Sequence, residues 1–96
     1  MDLLIDVSTP DAAPVLVPLL QALHRRGSEW AIFFTNDGVK ALDDTQLAGL
    51  MHLAEQAVAC EFSWERYRGD AECPVTLGSQ TNHSMLAASA ARIIGL

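Results

Sequence analysis

The segment Trp30-Ala31-Ile32-Phe33-Phe34 does most to restrict what this chain can fold into. An unbroken apolar run of strand length, without polar alternation, suits a strand covered on both faces better than one with a wet face. Helical patterns flank it. Before it, Val15, Leu16, Leu19, Leu20 and Leu23 recur at helical spacing behind a possible Asp11 cap, and Arg25, Arg26 and Gly27 supply a helix stop. Pro14 fits a first turn, whereas Pro18 predicts a kink or a later start. After the run, Val39 to Leu42 can form one helical turn. Leu47, Leu50, Met51 and Ala54 then make a stripe behind an Asp43 or Asp44 cap.

Further short strands are expected at Leu3 to Val7, Gln56 to Phe62, Pro74 to Leu77 and Arg92 to Leu96, with a last helix from His83 to Ala91 and a short one from a Ser63 cap. Strands alternating with helices predict an α/β fold: a mainly parallel sheet of about five strands, right-handed crossovers and helices on both faces. At 96 residues with half of them hydrophobic and few aromatic, residues 1–96 are read as a single domain with a core of Leu, Val, Ile and Ala.

Twelve acids against six Lys and Arg leave a net charge of −6, and no run of cations exceeds Arg25-Arg26. A nucleic-acid partner is not expected, because phosphates require a positive face. No apolar stretch approaches the roughly 20 residues of a membrane-spanning helix. Asp2 and Asp6 stand where a signal peptide carries positive charge, so a cytoplasmic location is the expectation. No cofactor is expected, since both the Gly-x-Gly-x-x-Gly fingerprint and a Walker lysine loop are absent. A receiver domain is disfavoured too, the only lysine being Lys40.

In open parallel sheets, ligands sit at the carboxyl ends of the strands. That rule selects the loops Thr35 to Gly38, Cys60 to Ser63 and Gly78 to Thr81, and with them Asn36, Asp37, Gly38, Ser63, Ser79 and Gln80 as pocket or binding residues. Asn36-Asp37-Gly38 also reads as a plain turn, and Ser79 to Asn82 as a helix cap. Cys60 is the candidate nucleophile. It would lie before a helix N-terminus, where N–H groups and the dipole favour a thiolate, with Arg66 or Arg68 adding positive charge and Glu61 and Glu65 opposing it. The competing reading is a small buried hydrophobe. Cys73 could serve as a second, resolving thiol, although Cys60 and Cys73 are too far apart in sequence for a Cys-x-x-Cys motif. No cysteine or histidine pair has the close spacing of structural zinc ligands, so no metal is expected.

Three segments together resemble the DsrE-like sulfur relay family. Phe33-Phe34-Thr35-Asn36-Asp37-Gly38-Val39 is similar to its phenylalanine-rich strand ending in an Asp-Gly-Val turn. Cys60 through Arg68-Gly69 resembles its strand-end cysteine followed by Arg-Gly. Leu77-Gly78-Ser79-Gln80 through Ala91-Arg92-Ile93-Ile94 resembles its glycine-containing loop, alanine-rich helix and closing strand. The resemblance implies a three-layer α/β/α fold, homo- or hetero-oligomers with related subunits, and a thiol, here Cys60, that takes sulfur from a donor protein as a persulfide and passes it to an acceptor. The chain would then be a sulfur carrier or sulfurtransferase subunit. The alternative is a non-catalytic oligomeric binding or regulatory module of the same fold. Glu61, Trp64 and Glu65 depart from the small apolar surroundings of the family's cysteine, and Cys73, which lies between the second and third segments, has no counterpart.

Overall fold

The computed structural model describes all 96 residues. Five parallel strands, β1 (Leu3–Val7), β2 (Trp30–Phe34), β3 (Gln56–Cys60), β4 (Thr76–Gly78) and β5 (Arg92–Gly95), lie in the order β4-β3-β2-β1-β5. Between them run α1 (Ala13–Arg26), a 3-10 helix (Asn36–Asp43), α2 (Thr45–Ala48), a short 3-10 turn (Met51–Leu53), α3 (Glu61–Arg68) and α4 (Gln80–Ser89). The result is a three-layer α/β/α fold.

Handedness explains the layering. From β1 to β4 each strand is added on the same side of the last, so right-handed crossovers put every connection on one face. There Ile5, Val7, Leu16, Leu20, Trp30, Ile32, Phe34, Leu47 and Trp64 form the main core. The connection from β4 returns past β3, β2 and β1 to β5, which sends α4 to the other face. Leu86 of α4 covers Leu4, Ala31, Phe33, Val58 and Cys60 there. Along β1 the alternation is visible, Ile5 and Val7 facing one core and Leu4 the other. Every residue of the β2 run is buried, as an apolar strand between two helical layers must be.

Several boundaries differ from the sequence pattern, each for a local reason. Ala12 rather than Asp11 caps α1, and the helix runs through Pro18 without a late start. Gly27 ends it in the left-handed conformation, φ 73°, its N–H bonded to the His24 carbonyl. Residues 36–38 open a 3-10 helix instead of making a turn. Gly38 is needed there for close approach, since a Cβ would lie 2.4 Å from the Val7 carbonyl oxygen. The Asp44 side chain accepts the Leu47 N–H, but the helix it caps is a single turn. α3 begins at Glu61, directly after the strand, so Ser63 lies inside the helix and is not its cap. Pro74 precedes β4. α4 starts at Gln80, before the expected His83, because Ser79 and Asn82 form a reciprocal capping box.

Candidate active site

Strands β3 and β4 are neighbours whose chains leave in opposite directions, into α3 on one face and α4 on the other. Such a switch point opens a crevice at the carboxyl ends of the two strands. Cys60 and Gly78 are the facing residues at this point. A side chain at position 78 would fill the crevice, its Cβ meeting Val58 Cγ1 at 2.7 Å and Asn82 Oδ1 at 2.8 Å.

The Cys60 residue is only 5% exposed. Burial pushes its thiol up, but the Ser63 hydroxyl, the Ser63 and Phe62 N–H groups and the Gln80 amide outweigh burial and bring it below the usual cysteine range. The two N–H donors exist because α3 starts immediately after Cys60, leaving its first-turn amides unpaired within the helix. Gln80 Nε2 stands 4.0 Å from Sγ, reaching in from the first residue of α4. Ser63, 8% exposed, also accepts the Asn36 main-chain N–H at 2.8 Å. Asn36 is the single non-glycine residue with a left-handed backbone, φ 52°, which asparagine adopts more readily than most.

Of the expected site residues, Cys60, Ser63, Gln80 and Asn36 therefore meet. The others have separate tasks. Ser79 is committed to the α4 capping box, with Asn82 Oδ1 accepting its N–H at 2.7 Å. Asp37 is half-buried in the first turn of the 3-10 helix and bonds to none of the four. Gly38 is wedged under Val7 and Ser8. Cys73 packs against the main core on the opposite face from Cys60, and both thiols are free. Burial pushes the Cys73 thiol up, against a smaller pull from the Val75 N–H.

Arg66 and Arg68 do not approach the sulfur. They sit at the far end of α3, where Arg66 lies 5.4 Å from the Tyr67 ring centre and Arg68 pairs with Asp43. His52 is bonded to the Gly49 carbonyl, and no three His, Cys, Asp or Glu side chains converge to hold a metal. A groove of about 680 Å³ follows the β3–β4 edge past Met51, Gln56 and Thr76 and does not include Cys60.

Two features of the site carry no signal in the sequence. His83 Nε2 is 2.9 Å from Asp6 Oδ1, and its ring meets Phe33 edge-on at 4.9 Å, fastening α4 to the centre of the sheet. Phe62, in the first turn of α3, is 71% exposed beside the thiol. A period-based reading finds neither, since Asp6 looks like a flaw in a strand and Phe62 like core. No helix is long and apolar enough to cross a membrane. No protein-family model and no curated protein matches the chain.

Proposed function

We propose that the chain is a DsrE-like sulfur carrier or sulfurtransferase subunit in which Cys60 holds sulfane sulfur as a persulfide. The observation that carries this reading is the position of Cys60 at the β3–β4 switch point, directly before the first turn of α3 and with the Gln80 amide 4.0 Å from its sulfur. Donors that lower a thiol's pKa raise the fraction present as thiolate, the attacking form.

In the proposed step the Cys60 thiolate attacks the outer sulfur of a donor persulfide. The donor S–S bond breaks, and the donor sulfur leaves as a thiolate with the electron pair. Cys60 keeps the outer sulfur, and an acceptor thiolate removes it by the same exchange. No external oxidant or reductant is consumed. Cys60 is nearly covered, and the exposed Gln80 side chain lies 4.0 Å from its sulfur.

The alternative, a non-catalytic oligomeric binding or regulatory module, draws on the thin second layer. With α4 alone on that face, Met85 is 66% and Ile93 50% exposed. Under either reading the partners would be copies of this chain or related subunits; the sulfur reading adds donor and acceptor proteins. Intact-mass measurement after incubation with a small-molecule persulfide decides between the two. The sulfur reading predicts a gain of one sulfur atom that disappears in Cys60→Ser, and no gain on either cysteine supports the binding module.

A further inference from the structure

Strand β4 has three residues against five in β3, and the two pair only from Val58 to Cys60. Gln56 and Ala57 therefore have a strand neighbour on the β2 side alone. The space left beside them is the groove of about 680 Å³, a volume in the range of small-molecule sites. We propose that this groove binds a small primary amine with an apolar body, its ammonium group taken by His52 and Glu55.

Both side chains line the groove and both residues are exposed. His52 belongs to the short 3-10 turn, and its Nδ1 is 2.9 Å from the Gly49 carbonyl oxygen. A carbonyl only accepts, so in the neutral ring Nδ1 carries the proton and Nε2 presents a lone pair. Glu55, three residues on, supplies a carboxylate, and its main-chain N–H donates to the Trp30 carbonyl at 2.8 Å, which ties this stretch to the sheet. No Lys or Arg lines the groove, so Glu55 is its one full charge when His52 is neutral.

Two acceptors and a single negative charge select a cation that donates hydrogen bonds. Met51, Ala57, Pro74 and Val75 supply an apolar part of the lining, which suits a hydrocarbon body. An anion is repelled by Glu55, and a neutral ligand forgoes its charge. Cys60 is not part of the lining, so the site does not rest on the sulfur-carrier reading.

The test is a titration of the full chain, followed by proton–nitrogen correlation spectra at about pH 7.5, where an ordinary imidazole is mostly neutral and an amine is charged. The probes are phenethylamine, 2-phenylethanol and phenylacetate, which share a ring and differ in charge. Phenethylamine should shift amides of residues 48–58 and 74–78 with a dissociation constant on the order of millimolar. The alcohol should bind roughly fivefold more weakly, the weight of an exposed ion pair, and phenylacetate more weakly still. Glu55→Gln should bring phenethylamine down to the alcohol's affinity, and His52→Ala should weaken it severalfold. A pentapeptide with one lysine among glycines should bind more weakly than phenethylamine.

Absent shifts, shifts elsewhere, or an alcohol or carboxylate that binds as tightly as the amine overturn the proposal. So does an affinity unchanged by Glu55→Gln or by His52→Ala, each variant's own spectrum reporting that it is folded. Tighter binding of the lysine peptide overturns the small-molecule assignment in favour of a protein side chain.

Discussion

Replacing Gly38 by alanine places a methyl carbon 2.4 Å from the Val7 carbonyl oxygen, 2.8 Å from its carbon and 2.9 Å from Ser8 Cα. All three are backbone atoms, so no rotamer change relieves the contact. The 3-10 helix must lift off β1, and the Thr35 N–H bond to the same Val7 oxygen, 2.9 Å long, is lost or stretched. Overpacking of this kind costs about 1–3 kcal/mol. The hydrogen bond adds about 1 kcal/mol, while the entropy removed from the unfolded chain returns roughly 0.4–1 kcal/mol. The expected net loss is about 1–3.5 kcal/mol. In urea titration, where domains of this size have slopes of about 1–3 kcal/mol per molar, the midpoint falls on the order of 1–2 M. Gly95→Ala is the matched control, because nothing lies within 4 Å of its Cβ, and it should stay within about 0.5 kcal/mol of the parent. A Gly38→Ala protein as stable as Gly95→Ala would refute the close-approach account of this glycine.

Gly78→Ala meets side chains of Val58 and Asn82 instead of backbone, so its urea midpoint falls less than that of Gly38→Ala, by roughly 1–2 kcal/mol of stability. A larger loss than at Gly38 contradicts the ranking. His83→Ala removes the Asp6 contact and the Phe33 edge contact, and a thermal melt should show a loss of about 1–2 kcal/mol; an unchanged melt means that α4 needs only Leu86. Iodoacetamide labelling followed by peptide mass should rise at lower pH for Cys60 than for Cys73, the first thiol being lowered and the second raised. By linkage, the Cys60 contribution to stability is present above its unfolded pKa and is lost as pH falls through the folded value. That of Cys73 is present below its unfolded pKa and lost as pH rises through its folded value. Within the four residues that follow the strands' carboxyl ends stand Asp11, Asp37 and Glu61 and no Lys or Arg. Cys60 should therefore react faster with the cationic disulfide cystamine than with anionic dithiodiglycolate, the ratio shrinking as salt is added; a ratio that salt does not alter removes the charge effect.

The sequence pattern was sufficient for the layers and most strands because these depend on short-range periodicity. The β2 run could only be doubly covered, and Leu16, Leu20, Leu47 and Met51 fell on stripes that do face a core. Cys60 could be assigned to a strand end on the same grounds. Its partners could not, since strand order is a long-range property. Only once β4 is known to pair with β3, and α4 to cross the other face, does Gln80 arrive at the sulfur. Likewise Ser63 looked like a cap. Its actual contact, with Asn36 from another loop, depends on where α3 begins and on a single left-handed residue. Arg66 and Arg68 were drawn toward the cysteine by nearness in sequence, but in a helix rising about 1.5 Å per residue they are carried away from it.

The central claim is that Cys60 both accepts and releases sulfane sulfur. The most direct measurement uses Cys73→Ser protein loaded with a small-molecule persulfide, separated from it, and followed by intact mass on addition of a small thiol. The account predicts one added sulfur atom per chain, sited on Cys60 and lost to the thiol with recovery of the unloaded mass. A chain that gains no sulfur, or gains it and does not give it up, contradicts the account.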